Sequence, residues 1–413
     1  MAFQTGLSGL NAASQSLDVI GNNVANAGTV GFKQSRVLFA DVFANTLSGS
    51  GANAIGIGTK VAAIEQEFTQ GAITVTNNPL DIAVNGKGFF RLSNSGSVTY
   101  TRDGQFHLDN NGYIVNTQGY QVTGYGVDTS GNIVPTSPVP LQISSAQLAP
   151  TPTATFKASM NLDSGESQPA TAVFNASDPT SYNNSTSGTV IDSLGNSHVM
   201  TFYFVKTATA GQWDLHGTVD GTAVANVNFG AGAGNPATLN FNSSGTMTTA
   251  MPITPVALTI AGGATSPLSF SLDLTGTTQF GADFAVNSIY QDGYASGRLA
   301  GFNIGGDGVI VGNYTNGQTR NLGQFVLANF SDPRGLAPSG STNWEETSTS
   351  GLPVVGAPKS GDLGALQSAA TEASNVDLTA ELVNMITAQR VYQANAQSIK
   401  TEDAVLQTLV NLK

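Results

Sequence analysis

The sequence predicts an α+β chain that is mainly β. A helix stands at each terminus, and a discontinuous β-domain between them is interrupted by an inserted β-sandwich or barrel-like domain. Three observations predict this. Apolar residues near both ends recur at alternating spacings of four and three, the period of a helical seam. In the middle the period falls to two, in short runs broken by Asn, Gly and Asp. The composition is turn-rich: 48 of 413 residues are glycine and only 10% are charged, against roughly 25% in an average protein. Small polar residues therefore do most of the solvating. With 40% hydrophobic residues, the chain has enough apolar surface to fold.

The N-terminal seam runs through Phe3, Leu7, Leu10, Ser14, Leu17, Gly21 and Val24. The C-terminal seam links Leu378, Leu382, Met385, Gln389, Tyr392, Ala396, Ile399, Asp403, Leu406 and Val410. Asp377 is placed to cap the second helix, with Glu381 in its first turn favouring the dipole. From Leu378 to Leu412 that helix would be about 50 Å long. Gly6, Gly9 and Gly21 each cost the first helix roughly 1 kcal/mol relative to Ala, so it needs a partner. Ala12, Ala13, Val19, Val383, Ile386 and Val405 lie off the seams. Two helices packed on the chain's own core is the ordinary reading of such stripes. Apolar residues on more than one side favour a coiled-coil or bundle layer built from several chains.

After the first helix comes "GNNVANAGTVGFK", Gly21 to Lys33, whose Asn and Gly residues stop the helix and turn the chain. The expected order is a terminal helical layer from residues 1–31 and 370–413, then a linker over 32–70. A split β-domain takes 71–146 and 283–369, and the insertion takes 147–282. The two halves of the split domain share a pattern: "FHLDNNGYIV" from Phe106 aligns without gaps to "FNIGGDGVIV" from Phe302. The insertion opens on the linker "LAPTPTATF" and contains no charged residue from Gly221 to Leu272.

Several function classes are disfavoured. A net charge of −12 and a pI near 4.5 would repel a phosphate backbone, so no nucleic acid is expected. No apolar run approaches a membrane span. "MAFQTGLSGL" lacks the basic and apolar regions of a secretory signal. The absence of cysteine excludes disulfides and thiolate chemistry. No glycine-rich stretch has the spacing and strand-to-helix setting of a phosphate loop. "DNNGYIV" resembles a calcium loop, but Tyr113 stands where the third acidic ligand belongs. His107, His198 and His216 are scattered; His198 and His216 read as a surface pair across a hairpin, which is too few ligands for zinc. No active site, cofactor or metal is expected.

Four stretches carry a resemblance. "NNVANAGTVGFK" resembles the N-terminal signature of the bacterial flagellar rod and hook axial family. "FTQGAITVTNNPLDIAVNGKGFFRL" and "VNSIYQDGYASGRLAGFNI" resemble its β-domain, and "SNVDLTAELVNMITAQRVYQANAQSIKTEDAVLQTLVNLK" its C-terminal helix. The length and large insertion fit the hook branch better than the shorter rod branch. A distal rod or hook-associated protein is the nearest alternative, and a secreted β-rich carbohydrate-binding or hydrolysing protein the one from another class.

The resemblance implies a non-enzymatic, self-assembling tube subunit that transmits torque between rod and filament. Its partners would be further copies in a helical homopolymer, the distal rod protein, the hook cap protein and the hook-filament junction protein. The type III flagellar export apparatus would carry it to an extracellular position. The assembly seams would be those named above, and Asn26, Gly28, Gly31, Phe32 and Lys33 the joint between layers. Two departures stand out. Gly28 replaces the usual Asn, but both residues tolerate left-handed backbone, so the turn is expected to survive; "AATE" at Ala369 to Glu372 replaces Gly-Ala-Leu-Glu, which bears on the entry into the last helix.

Overall fold

The computed structural model describes residues 2–42, 56–221 and 227–411. The chain forms two compact units: residues 1–145, 301–313 and 319–413 make the first, and residues 146–300 with 314–318 the second.

The first unit begins with helix α1 (Ala2–Ala25) and ends with helix α2 (Leu378–Asn411). The oxygen of Asp377 accepts from the amides of Thr379 (2.9 Å) and Ala380 (3.1 Å), so it caps α2 as expected. Between α1 and the β-sheets, the span read as a linker contains two antiparallel strands, β1 (Ser35–Val42) and β2 (Gly58–Gln66). Residues 43–55 lie outside the described residues. Val37, Leu38, Phe39 and Ala40 form a short apolar run without clear period-two alternation, which is why the span reads as a linker in sequence. It becomes a strand pair because α1 supplies the apolar surface it packs on.

A large sheet fills the rest of this unit. Its main path runs through strands 299–304, 309–314, 319–325, 121–127, 89–94, 97–101, 343–345 and 337–340. Phe89, Tyr100, Phe330 and Trp344 meet edge to face in its core, with ring centroids 4.8–5.9 Å apart. Two short pairs join distant parts of the chain: strand 73–75 with 370–372, and strand 82–85 with 365–368. The end of the second half therefore returns to the start of the first before α2 begins.

The second unit consists of a four-stranded and a five-stranded sheet. Alternate residues of the strand Ser197–Lys206 are buried: Met200, Phe202 and Phe204 pack with Trp213 and Leu215 of the next strand. Phe156, Val256, Leu258 and Leu272 of the other sheet complete the same core, as in a sandwich. Strand Ala285–Gln291 pairs with Thr155–Asn161 in this unit, whereas the sequence reading placed it in the split β-domain. Its period-two pattern fits either sheet, and only the tertiary pairing chooses.

The aligned segments from Phe106 and Phe302 do make equivalent turns. Asp109 donates its amide to the Tyr113 carbonyl and Gly305 to that of Val309, each at 2.9 Å. Glycine occupies the left-handed position in both, Gly112 at φ 82° and Gly308 at φ 80°. The carboxylate of Asp109 accepts from the amides of Asn111 and Tyr113, both at 2.8 Å. That carboxylate holds the turn, which explains the calcium-like spelling without a metal.

Candidate assembly interface and buried joint

The terminal helices pair antiparallel. Gly6 faces Ile399 and Gly9 faces Asn395 so closely that a Cβ would lie 2.9 Å and 2.7 Å from those side chains. The α1 residues shown at this contact are thus Gly6 and Gly9, which are not among the large apolar residues of the expected seam. The glycines weaken the helix locally but let the two backbones approach, as small interface residues do. Sequence spacing marked the large residues as the seam because it scores size and period, and close approach selects the small ones.

The predicted seam residues therefore have different fates. On α1, Phe3 and Leu7 are 46% and 44% exposed, while Leu10, Leu17 and Val24 are half-buried. On α2, Met385 is half-buried, Ile399 is half-buried against Gly6 of α1, and Leu378, Leu382, Tyr392 and Leu406 remain exposed. Val383, Ile386, Val391 and Val405 are exposed as well. At this register the last turns of α2 extend beyond the level of Ala2, which leaves Leu406 without cover from α1. Val410 lies within α2, but its side chain is outside the described residues. Thus α2 carries large apolar side chains on several faces, far more than an isolated surface helix leaves in water. An apolar groove of about 830 Å³ also opens between α1, α2 and β1, with Ala12, Ala13, Val19, Phe39, Ala388 and Val391 in its walls.

At the other end of α1 the chain enters the joint. Asn23 is 2% exposed and exchanges two hydrogen bonds with the backbone of Ser35, donating at 2.8 Å and accepting at 2.9 Å. Asn26 holds the last turn through its side-chain bonds to Asn22. Gly28 is exposed, its backbone is not left-handed, and a Cβ there meets nothing within 4 Å. The turn therefore does not use the left-handed freedom that glycine offers at Gly28. The left-handed residue is Gly31, at φ 70°, where a Cβ would fall 2.6 Å from the amide nitrogen of Asp103. Phe32 is half-buried. Gly31→Ala should therefore destabilise the fold by about 1–3 kcal/mol, and Gly28→Ala should stay within ~0.5 kcal/mol. Chemical denaturation of the two variants checks this contrast.

Lys33 is completely buried. Its ammonium donates to Glu372 Oε1 at 2.6 Å and to the Thr69 carbonyl at 2.7 Å. Glu372, also fully buried, takes a second cation on Oε2, where Arg102 Nη1 approaches to 3.1 Å. The Gly71 amide donates to Oε1 at 2.9 Å, and the Gly31 amide to the Glu372 carbonyl at 2.8 Å. Arg102 also donates to the Gly86 carbonyl at 2.9 Å and lies over the Phe89 ring, 5.2 Å from its centroid. Burial lowers the basicity of Lys33, and the Glu372 charge opposes that shift. Burial likewise lowers that of Arg102. One carboxylate thus fastens the residues after α1 to the β-domain and to the strand leading into α2.

Sequence reasoning picked Lys33 from its motif. It missed Arg102, and it treated the Ala-Ala-Thr-Glu stretch as a local matter although Glu372 is the centre of the cluster. The available signal was charge scarcity: only 10% of this chain is charged, so each Lys or Arg beside a strand is a candidate for paired burial. Asn375 was also missed. It accepts from the Gln34 amide at 2.8 Å and donates to the Glu67 carbonyl at 2.7 Å, tying the lead into α2 to β1 and β2.

Chemistry elsewhere is sparse. His198 and His216 do not face each other: Tyr203 pairs with His216, and His216 stacks on Phe174 with centroids 4.1 Å apart. Trp213 and Trp344 are core residues, not a sugar-binding platform. Among the described residues no group of three or more His, Asp or Glu could hold a metal ion, and no helix is long and apolar enough to cross a membrane.

Comparison with known proteins fits this arrangement element by element. Residues 3–33 match the family model described as "Flagella basal body rod protein", and residues 83–152 the "Flagellar hook protein FlgE/F/G D1 domain". Residues 161–294 match the "Flagellar basal body protein FlaE D2 domain" and 367–412 the "Flagellar basal body rod FlgEFG protein C-terminal". The flagellar hook protein FlgE of Escherichia coli K12 is 44% identical over 418 residues, covering all of both chains. The chain belongs to the flagellar hook protein FlgE family. The FlgE of Salmonella typhimurium is also 44% identical over the full length of both, and that of Borreliella burgdorferi is 32% identical, covering 99% of its length. The crystal structure of Helicobacter pylori flagellar hook protein FlgE2 shares the fold, with a TM-score of 0.50 at 15% identity over 73% of this chain and 99% of that one. As a FlgE-family member the chain is a structural subunit of the flagellar hook, and the D2 match shows that the insertion is a family domain.

Proposed function

We propose that this chain polymerises with copies of itself through the outward faces of its terminal helices. The observation that carries this reading is the set of large apolar side chains left exposed on α1 and α2 after the two helices have paired. Covering a Leu of this kind contributes about 1.5–3 kcal/mol when burial is complete, so several per subunit suffice to drive assembly. The groove between α1, α2 and β1 has small walls, and it suits an inserted helix face from a neighbouring copy.

In this reading the helices form the inner layer of a tube and the β-sheets of the first unit a shell around it. The buried Lys33–Glu372–Arg102 cluster keeps the joint between helix and shell in one geometry, so that torque passes through it without slack. Bending then takes place between subunits, whose largely uncharged surfaces slide without breaking desolvated ion pairs. The distal rod protein, cap protein and junction protein would meet the ends of this tube. Export through the flagellum's own apparatus would require the chain to travel unfolded.

Electron microscopy of the concentrated purified protein tests the proposal. Curved or straight tubes are the expected result, and a protein that stays monomeric at every concentration and salt condition contradicts it.

A further inference from the structure

We infer that His198 works as a doubly hydrogen-bonded imidazolium clasp, which holds the second unit's first hairpin closed and lets it loosen in alkali. His198 is 9% exposed, near the start of the strand Ser197–Lys206. Its Nδ1 lies 2.6 Å from Asp220 Oδ2 and its Nε2 lies 3.2 Å from Asp192 Oδ2. A neutral imidazole has one donor nitrogen and one acceptor nitrogen, whereas both neighbours here are carboxylates, which only accept. The neutral ring would therefore set a lone pair against a carboxylate oxygen at one end or the other. Only the imidazolium donates to both.

The two carboxylates are themselves fixed. Asp192 Oδ1 accepts from the amides of Leu194 and Asn196, both at 2.8 Å, and so shapes the turn between the first two strands of the sheet. Asp220 stands in left-handed backbone at φ 51°, just after the third strand, and its Oδ1 accepts from the Val199 amide at 2.8 Å. The clasp thus joins a hairpin turn to the far end of the neighbouring strand. The charged groups facing the ring are Asp192, on the turn, and Asp220, on the strand end; no cation faces it among the described residues.

The directions of titration agree with the geometry. Burial works against a charged ring, but the hydrogen bonds and charges of Asp220 and Asp192 outweigh it and raise His198 above the usual imidazole value. Burial alone would raise Asp192, yet the hydrogen bonds from Asn196, His198 and Leu194 bring it down to about 2. A raised histidine contributes stability that is complete below its unfolded value near 6.5 and lost as pH rises through the folded value. A depressed aspartate contributes stability that is complete above its unfolded value near 3.9 and lost as pH falls toward 2. The clasp is therefore tightest between about pH 4 and pH 6.5 and opens on the alkaline side.

The test is a nitrogen-15 NMR titration of the three histidines in the full chain, together with melting curves at several pH values. In the wild type, both His198 nitrogens should be protonated at pH 6, with a midpoint above 6.5, and the melting temperature should fall as pH rises through that midpoint. Asp192→Asn offers an amide donor to Nε2, so it should lower the midpoint and shrink the alkaline loss. His198→Gln should remove the alkaline loss altogether, provided it folds. A His198 midpoint at or below 6.5, or a neutral ring at pH 6, would overturn the inference. So would an Asp192→Asn variant with an unchanged midpoint, or an alkaline loss that persists in a folded His198→Gln protein.

Discussion

Glu372→Gln should lower the stability of the first unit by about 3–5 kcal/mol, the cost of breaking a buried ion pair by removing one partner. The substitution keeps the side chain's volume, so the loss comes from charge. Lys33 and Arg102 would then face each other's fields in a site with no anion, and both are almost wholly buried. For a unit of this size the melting temperature should fall by roughly 6–20 °C. Calorimetry of the full chain reads the effect. The second unit's transition serves as an internal reference, because it contains none of these residues. A change within ~0.5 kcal/mol, the range of an ordinary surface substitution, would show that the cluster is not what fastens the joint.

Leu406→Asp should do the opposite: leave the monomer's melting unchanged and abolish or greatly weaken polymerisation. Leu406 is 49% exposed in the single chain, so an Asp there stays hydrated until assembly covers it. Loss of a buried leucine costs about 1.5–3 kcal/mol per contact, which raises the concentration needed for assembly roughly ten- to a hundredfold, and desolvating the new charge adds to this. Sedimentation of the polymer across a concentration series measures the threshold. An unfolded first unit would show that the end of α2 belongs to the chain's own core, and a normal threshold would show that Leu406 faces no neighbour.

The two variants separate folding from assembly because sequence and structure divide the apolar residues in that way. Helical period located both helices and the cap at Asp377, and period-two alternation located the sandwich strands around Phe202 and Phe204. Period could not say which helix face stays inside the chain. Gly6 and Gly9 look like defects in a one-dimensional reading, and their value appears only when Ile399 and Asn395 arrive opposite them. The joint was legible as a motif and illegible as a mechanism. Gly31 and Lys33 act through Asp103, Arg102 and Glu372, which lie about 70 and 340 residues further along the chain, a distance no local pattern spans. The strand Ala285–Gln291 was misplaced for the same reason, since its partner is fixed by tertiary pairing alone.

The central claim is that the outward apolar face of α2 is open in the monomer and covered by another copy in the polymer. The chain has no cysteine, so Leu382→Cys gives a single reporter thiol at a position 45% exposed in the free chain. Its rate of reaction with a maleimide should be that of an open thiol in the monomer. In assembled tubes it should fall by ~tenfold or more, since even 1.4 kcal/mol of protection gives that factor. Equal rates in monomer and tube would contradict the account.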